Sequence, residues 1–176
     1  MQKSVRKLTL SALCLSLCYV LPFLTGSVPA LGAALLPMHI PVFLCAFFCG
    51  WQWALGVGVI APLLRALTIG APVLFPTAVS MAVELGCYGL LTGVFDRIFP
   101  RKPVYLYATL LIAMLGGRGV WGLTRLLLTL PTDTTFPFSA FIAGAFVDSF
   151  PGVFLQFLMI PPAIALWRRW VDVKQD

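Results

Sequence analysis

Two arginines, Arg118 and Arg125, lie inside the apolar stretch Met114-Leu-Gly-Gly-Arg-Gly-Val-Trp-Gly-Leu-Thr-Arg125. An ionised side chain in such surroundings is costly unless it faces a partner or a watery cavity, so it indicates a functional site. The two arginines are seven residues apart and share one helix face, with Trp121 near them. A guanidinium can hold a carboxylate through two parallel hydrogen bonds. The chemistry that this stretch predicts is binding of an anionic group, without catalysis.

The composition identifies the medium in which these arginines lie. Of the 176 residues, 60% are hydrophobic and only 10% are charged, with a mean hydropathy of +0.99. So few charged residues are not enough to hydrate the surface of a soluble domain of this size. The composition therefore predicts an integral membrane protein. The net charge of +6 then reflects orientation in the bilayer rather than nucleic-acid binding. The five cysteines all lie in apolar runs and are expected to be small buried residues without disulfide or metal roles.

The elements that must position these groups are six apolar helical segments, which form a single transmembrane domain over residues 1–176. Proline, glycine and charged residues divide the chain, and each segment is judged against the ~20 residues that span a bilayer. The first segment is expected to be a retained helix rather than a signal peptide, because no small-residue cleavage site precedes its end. The last is expected to be broken at Pro151 and bent at Pro161-Pro162. The predicted segments are 8–24, 38–50, 52–69, 77–95, 104–130 and 138–167.

The basic residues predict the orientation of these six transmembrane helices. Cytoplasmic loops are enriched in lysine and arginine. Nine of the twelve basic residues fall on one side of a model with both termini in the cytoplasm. The other three, Arg65, Arg118 and Arg125, lie inside helices. The prediction is therefore an all-α, multi-pass protein of the bacterial plasma membrane with both ends inside.

Helical rise places three ionisable groups at similar depth in the outer half of the membrane. At ~1.5 Å per residue, Glu84 lies roughly 12 Å below the outer end of its helix, Arg118 about 18 Å and Asp148 about 15 Å. Arg125 and Arg65 stand above them. The helices thus contribute three arginines against two carboxylates, and this excess favours an anionic or carboxylate-bearing ligand. The Asp148-Ser-Phe-Pro-Gly152 sequence is expected to open its helix at this depth, as irregular backbone is tolerated where it lines a cavity.

Each of these residues also has a purely structural interpretation. Arg118 with Glu84 or with Asp148 can form a buried ion pair that sets helix register and needs no ligand. Arg65 and Arg125 can extend to the outer headgroups. His39, at the start of a helix, can be a local cap or packing residue rather than a substrate contact. Trp121 is placed to stack on a flat ligand, whereas the other four tryptophans are expected at the membrane interfaces.

The sequence provides no motif for an enzyme. The single histidine has no serine motif beside it, and there is neither an acidic metal cluster nor a phosphate-cradling glycine loop. No Walker motif is present, so any dependence on ATP must come from a partner. We therefore expect no catalytic residues, no metal site and no cofactor.

The order and size of several short motifs resemble the substrate-binding S components of energy-coupling factor (ECF) vitamin transporters. The resemblance covers nearly the whole chain, and the motifs that carry it, quoted in chain order, are Met38-His-Ile-Pro-Val42, Gly-Val-Gly58, Pro62-Leu-Leu-Arg65, Gly117-Arg-Gly-Val-Trp-Gly122, Phe150-Pro-Gly-Val-Phe-Leu-Gln156 and Ile160-Pro161.

This resemblance implies a mode of action. An S component captures a vitamin from outside beneath the loops that follow its first and third helices, here 25–37 and 70–76. It then docks on a membrane T component with two ATPases and is thought to topple to release the vitamin inside. The family's docking face carries alanines four residues apart on the first helix, for which Ala12 and Ser16 are the nearest match. The arginines favour pantothenate, niacin or a folate, with riboflavin and other ligands left open.

Two other functions are compatible with the residues. The chain can be a small membrane assembly subunit whose buried charges only hold helices together. It can also be a stand-alone permease, although no inverted repeat of the kind found in many secondary transporters is visible.

Overall fold

A computed structural model describes residues 2–25, 32, 34–100, 102–130 and 137–173, and over these residues the chain is helical without a β-strand. The α-helices, numbered in chain order, are α1 (Gln2–Val20), α2 (His39–Cys49), α3 (Trp51–Ile69), α4 (Val79–Ile98), α5 (Pro103–Thr129), α6 (Phe138–Ile142) and α7 (Phe150–Val173). Shorter irregular turns follow α1 at Leu21–Thr25, precede α4 at Leu74–Ala78 and follow α6 at Ala143–Val147.

Five stretches of the described chain are long and apolar enough to cross a membrane. They are Ser4–Leu24, Trp51–Ile69, Leu74–Ile98, Pro103–Thr129 and Phe138–Arg168. This confirms the all-helical prediction and five of the six predicted spanning segments by length and composition. The second segment is different, because α2 has 11 residues and is about 16 Å long.

The short helix α2 is buried among the longer ones. It packs against α1, α3, α4 and α7. Seven of its 11 residues are buried, among them His39, Phe43 and Cys49. A helix enclosed by other helices needs no lipid-length apolar surface of its own. By contrast, the long helices expose large apolar side chains such as Leu67 and Val104, as expected for surfaces that face lipid.

Glycines bring α3 and α4 into direct backbone contact. A Cβ atom built on Gly58 would lie 2.5 Å from the carbonyl oxygen of Leu85, and one on Gly93 would lie 2.4 Å from the backbone nitrogen of Trp51. Such close approach is typical of membrane helix pairs with small residues at the contact. The two contacts also fix the register, in which α3 and α4 run antiparallel.

The last segment opens slightly earlier than the sequence predicts. A wide turn at Ala143–Val147 leads through two turn residues, Asp148 and Ser149, to α7, which begins at Phe150, and the backbone at Asp148 keeps helical dihedral angles. Pro151 is thus the second residue of α7 rather than a breaker, because the first turn of a helix does not need its N–H groups. Pro161 and Pro162 lie inside α7.

The cysteines are free thiols in the apolar interior. Four are buried, and Cys87 is half-buried. Cys14, Cys18, Cys45 and Cys49 belong to one core cluster with residues of α1 to α4. This agrees with their expected role as small packing residues.

Candidate functional site

A cavity of about 500 Å³ lies between the ends of α1 and α2 and the helices α3 to α5. Cavities of this size are typical of sites for small molecules. All seven residues that the sequence singled out for ligand contact line it: His39, Arg65, Glu84, Arg118, Trp121, Arg125 and Asp148. They come from five different parts of the chain, and the tertiary structure brings them together around one space. Whether they bind a ligand remains a prediction.

The deeper end of the cavity contains a buried polar cluster centred on Glu84. An oxygen of this carboxylate, Oε1, lies 3.0 Å from Nη1 of Arg118, in an ion pair. The hydroxyl of Tyr88 donates a hydrogen bond of 2.9 Å to the same oxygen, and Nε2 of His39 is 3.8 Å away. Glu84 and His39 are each 2% exposed, and Arg118 is 6% exposed. The structure therefore selects Glu84, and not Asp148, as the partner of Arg118. We call these four residues the Glu84 cluster.

The position of Tyr88 in this cluster depends on a glycine of the facing helix. A Cβ atom built on Gly117 would lie 2.1 Å from the ring of Tyr88. The ring occupies the space that a side chain at position 117 would need. Tyr88 also packs against Phe43, with 5.3 Å between the ring centroids, so its hydroxyl is held toward Glu84. Gly117 thus lets the aromatic ring, and with it the carboxylate, approach Arg118.

Two members of the Glu84 cluster keep polar atoms without a protein partner. Nη2 of Arg118 and both ring nitrogens of His39 are buried and make no hydrogen bond within the described part of the chain. Leaving a buried donor unsatisfied costs about 1–3 kcal/mol, and more for a charged group. Because both residues line the cavity, a molecule bound there can satisfy these atoms.

Arg65 approaches the cavity from the end of α3. Its side chain is 4% exposed, so it is buried rather than extended into headgroups. Nη1 donates a 2.5 Å hydrogen bond to the backbone carbonyl of Tyr19, at the end of α1. The guanidinium also lies 4.9 Å from the ring centroid of Phe23. The last carbonyls of a helix have no partner within it, so Arg65 stabilises the end of α1 while it faces the cavity.

Arg125 lies on α5 two turns beyond Arg118. Nη1 donates to the hydroxyl of Thr77 over 3.2 Å, and the guanidinium is 6.0 Å from the centroid of Trp121. Trp121 itself packs against Phe141, with 6.2 Å between ring centroids, and a Cβ on Gly144 would lie 3.1 Å from it. The expected stacking of Trp121 on a flat ligand stays a prediction.

Asp148 lies at the edge of the cavity. It follows the wide turn after α6 and lines the space, yet it is exposed and has no ion pair within the described residues. With Glu84 it brings two carboxylates to a cavity that three arginines also line, so the excess of one positive charge counted from the sequence holds for the lining residues.

The described residues of both predicted lid segments form part of the cavity wall. Gly70, Ala71, Pro72 and Val73 line it from the connection after α3, and Gly32, Leu36 and Pro37 from the connection after α1. Most of the first lid, at 26–31 and 33, lies outside the described residues. The role of both segments as lids stays a prediction.

The predicted docking residues lie away from the cavity. Ala12 and Ser16 are both exposed on α1, and the Ser16 hydroxyl donates to the Ala12 carbonyl over 3.0 Å. Ser16 therefore keeps its polar group bonded to its own helix and presents a small, neutral surface beside Ala12. This geometry is compatible with contact to another helix. The role of Ala12 and Ser16 in docking stays a prediction.

Sequence reasoning missed two side chains of the site. Tyr88 is four residues after Glu84 and therefore shares its helix face, a spacing that could have indicated the contact. Thr77 offered no such signal, because its contact with Arg125 depends on how α4 and α5 pack. No group of three or more metal-ligating side chains occurs in the described ranges.

One comparison with known proteins gives a match. A family model described as "ECF transporter, substrate-specific component" matches residues 6–164. No curated protein and no solved structure matches the chain.

Proposed function

The chain belongs to the family of substrate-specific components of ECF transporters, and from this premise we propose that it captures a vitamin or related micronutrient from outside the cell. It is a membrane protein whose class binds transport substrates and is not enzymatic. The observation that carries the proposal is the cavity of about 500 Å³ with the unpartnered Nη2 of Arg118 in its wall. The proposed substrate is carboxylate-bearing, in the class that includes pantothenate, niacin and folates, because arginines exceed carboxylates around the cavity.

The proposal includes the topology and the partners. Residues 1–176 form one transmembrane domain in a bacterial plasma membrane, with six helices including the short α2 and with both termini in the cytoplasm. The bound substrate is delivered through a membrane T component and two ATP-binding subunits. Ala12 and Ser16 on the exposed face of α1 are the proposed contacts with the T component. The basic residues near the chain ends and at 97–102 support this orientation.

The Glu84–Arg118 pair favours a second candidate, a membrane assembly subunit in which the charges only join helices. A pair of this kind is sufficient to set helix register. It does not by itself require an adjoining cavity or the unpartnered nitrogens of His39 and Arg118. The binding function accounts for all three features, and we therefore prefer it.

Native mass spectrometry of gently purified protein is the test of the proposed function. We expect one small molecule per chain after growth in rich medium, because the cavity offers buried polar atoms to a single ligand. Identification of the released molecule names the substrate. Repeated absence of any bound molecule would favour the assembly subunit. Uptake in cells that lack every partner ATPase would instead indicate a stand-alone permease.

Enlarging the proposed docking face should separate partner binding from substrate binding. We expect Ala12→Trp to reduce copurification of the T component and ATPases at least tenfold, because the bulky ring keeps the helices apart. Substrate affinity of the isolated chain should stay the same. The matched control is Leu115→Trp, at an apolar position of α5 that is likewise exposed. Equal copurification of the two variants would exclude Ala12 from the docking face.

A further inference from the structure

The polar groups of the cavity lie at two levels along the helices. The contacts of Gly58 with Leu85 and of Gly93 with Trp51 set the antiparallel register of α3 and α4. Arg65 is seven residues after Gly58 on α3. Because the helices are antiparallel, Arg65 lies at the same height as Ala78, which is seven residues before Leu85 of α4. Arg125 reaches the same level, since it contacts Thr77.

The Glu84 cluster lies at a second level, because Glu84 of α4 is seven residues from Thr77 and Arg118 is seven residues from Arg125 on α5. At ~1.5 Å per residue, the backbone positions of Arg65 and Arg125 lie about 10 Å along the helices from those of Glu84 and Arg118, and we call the former the Arg65 level.

The Glu84 cluster is suited to an uncharged polar group. The charge of Arg118 is already balanced by Glu84 at 3.0 Å, so a carboxylate placed here would also lie beside a like charge. Arg118, Tyr88 and His39 all approach Oε1, and Oε2 has no hydrogen-bond partner among the described residues. The cluster therefore offers Oε2 as an acceptor and Nη2 of Arg118 as a donor. A neutral histidine adds one donor and one acceptor.

The Arg65 level is suited to an anion. The partners that the structure gives Arg65 are the neutral carbonyl of Tyr19 and the rings of Tyr19 and Phe23. No carboxylate within the described part of the chain forms an ion pair with it. Its buried positive charge is therefore available to a ligand in the cavity that it lines. Arg125 at the same level adds to the positive potential.

We propose that the substrate is an elongated molecule with a neutral hydrogen-bonding head at the Glu84 cluster and a carboxylate at Arg65, whose backbone lies about 10 Å from that of Glu84 along the helices. The head both donates and accepts hydrogen bonds, as an amide, a ureide or a pair of hydroxyls does. This inference rests on the proposed function and deepens it, because it assigns the two ends of the ligand to two ends of the cavity. Within the carboxylate class it disfavours compact acids whose carboxylate is attached directly to a small ring.

Two matched pairs of compounds test this assignment by calorimetry on the purified protein. Pantothenate carries its carboxylate far from a pair of hydroxyls, biotin carries its carboxylate far from a ureide, and panthenol and biotinol are the corresponding alcohols. We expect at least one acid to bind, its alcohol to bind about 10- to 100-fold more weakly, and nicotinate more weakly still. Nicotinate binding as tightly as the elongated acid, or equal affinity of acid and alcohol, would overturn the assignment.

The Arg65→Gln variant locates the carboxylate. Glutamine keeps a polar side chain with an N–H donor but is shorter than arginine and removes the charge. We expect the variant to lose about 10- to 100-fold in affinity for the acid and to bind the alcohol as the unchanged protein does. Equal weakening of both compounds would mean that Arg65 acts only through the fold, and it would overturn this end of the assignment.

Native mass spectrometry separates failure of this inference from failure of the proposed function. A copurified molecule without a carboxylate overturns the inference and leaves the binding function intact. No copurified molecule, together with no binding by any of the five compounds, overturns both. A copurified molecule with a carboxylate and a distant neutral head supports the inference even if none of the five compounds binds.

Discussion

Arg118→Ala is expected to reduce substrate binding by at least 100-fold, to below detection in a calorimeter, while the protein can still be extracted and purified. The substitution removes Nη2, a buried donor that makes no hydrogen bond within the described part of the chain. It also leaves Glu84 without the guanidinium at 3.0 Å, so the carboxylate is freed to repel or misplace the ligand. Two losses together account for the size of the effect: the charged hydrogen bond to the ligand, and the ion pair that holds the Glu84 carboxylate in place.

Two controls separate a binding role for Arg118 from a purely structural one. Arg97→Ala removes an exposed arginine outside the cavity, and its affinity should be unchanged. Breaking a buried ion pair costs about 3–5 kcal/mol of stability, and the double variant with Arg118→Ala and Glu84→Gln removes the uncompensated charge. We expect the double variant to regain thermal stability but not binding. Unchanged affinity in Arg118→Ala, or recovery of binding in the double variant, would contradict the binding role.

Gly58→Ala is expected to cause a large loss of stability from a single added methyl group. The added Cβ would lie 2.5 Å from the carbonyl oxygen of Leu85 and 2.8 Å from the backbone nitrogen of Gly86. Backbone atoms cannot rotate away as a side chain can, so α3 and α4 must separate. Overpacking of this kind costs about 1–3 kcal/mol or more. We expect a lower thermal unfolding temperature and weaker substrate binding, because Glu84 adjoins the contact.

Gly56→Ala is the matched control, two residues away on the same helix. A Cβ atom at Gly56 meets nothing within 4 Å. Alanine favours a helix over glycine by about 1 kcal/mol, so stability should be equal or slightly higher. The measurement is thermal unfolding of both variants in the same detergent. Similar unfolding temperatures would show that close contact at Gly58 does not hold the helix pair.

The family assignment and the helical architecture could be predicted because they depend on local features. Runs of apolar residues near the length of a bilayer define helices, and Arg118 and Glu84 are conspicuous inside such runs because burial of charge is costly. The resemblance stated from motif order is confirmed by the family match over residues 6–164. The short α2 was predicted at nearly its observed bounds, although its enclosure by four helices depends on packing.

The wide turn in the last segment shows where local rules are insufficient. A proline can interrupt a helix or begin one, and Pro151 alone does not say which. In the structure it lies in the first turn of α7, and the irregular backbone is the wide turn at Ala143–Val147, just before Asp148. That placement leaves Asp148 exposed at the cavity edge instead of inside the Glu84 cluster.

The membrane class, the helical segments and the position of each charged residue along its helix follow from the sequence, because apolar length and helical rise are properties of single segments. The neighbour that each charged side chain contacts depends instead on how the helices pack. Whether Arg118 pairs with Glu84 or Asp148 depends on the rotation of each helix about its axis. That rotation is set by contacts between distant residues, such as Gly58 with Leu85 and Gly117 with Tyr88. Packing thereby placed Tyr88 on Glu84, left Nη2 of Arg118 unpartnered, and divided the arginines between two levels of one cavity.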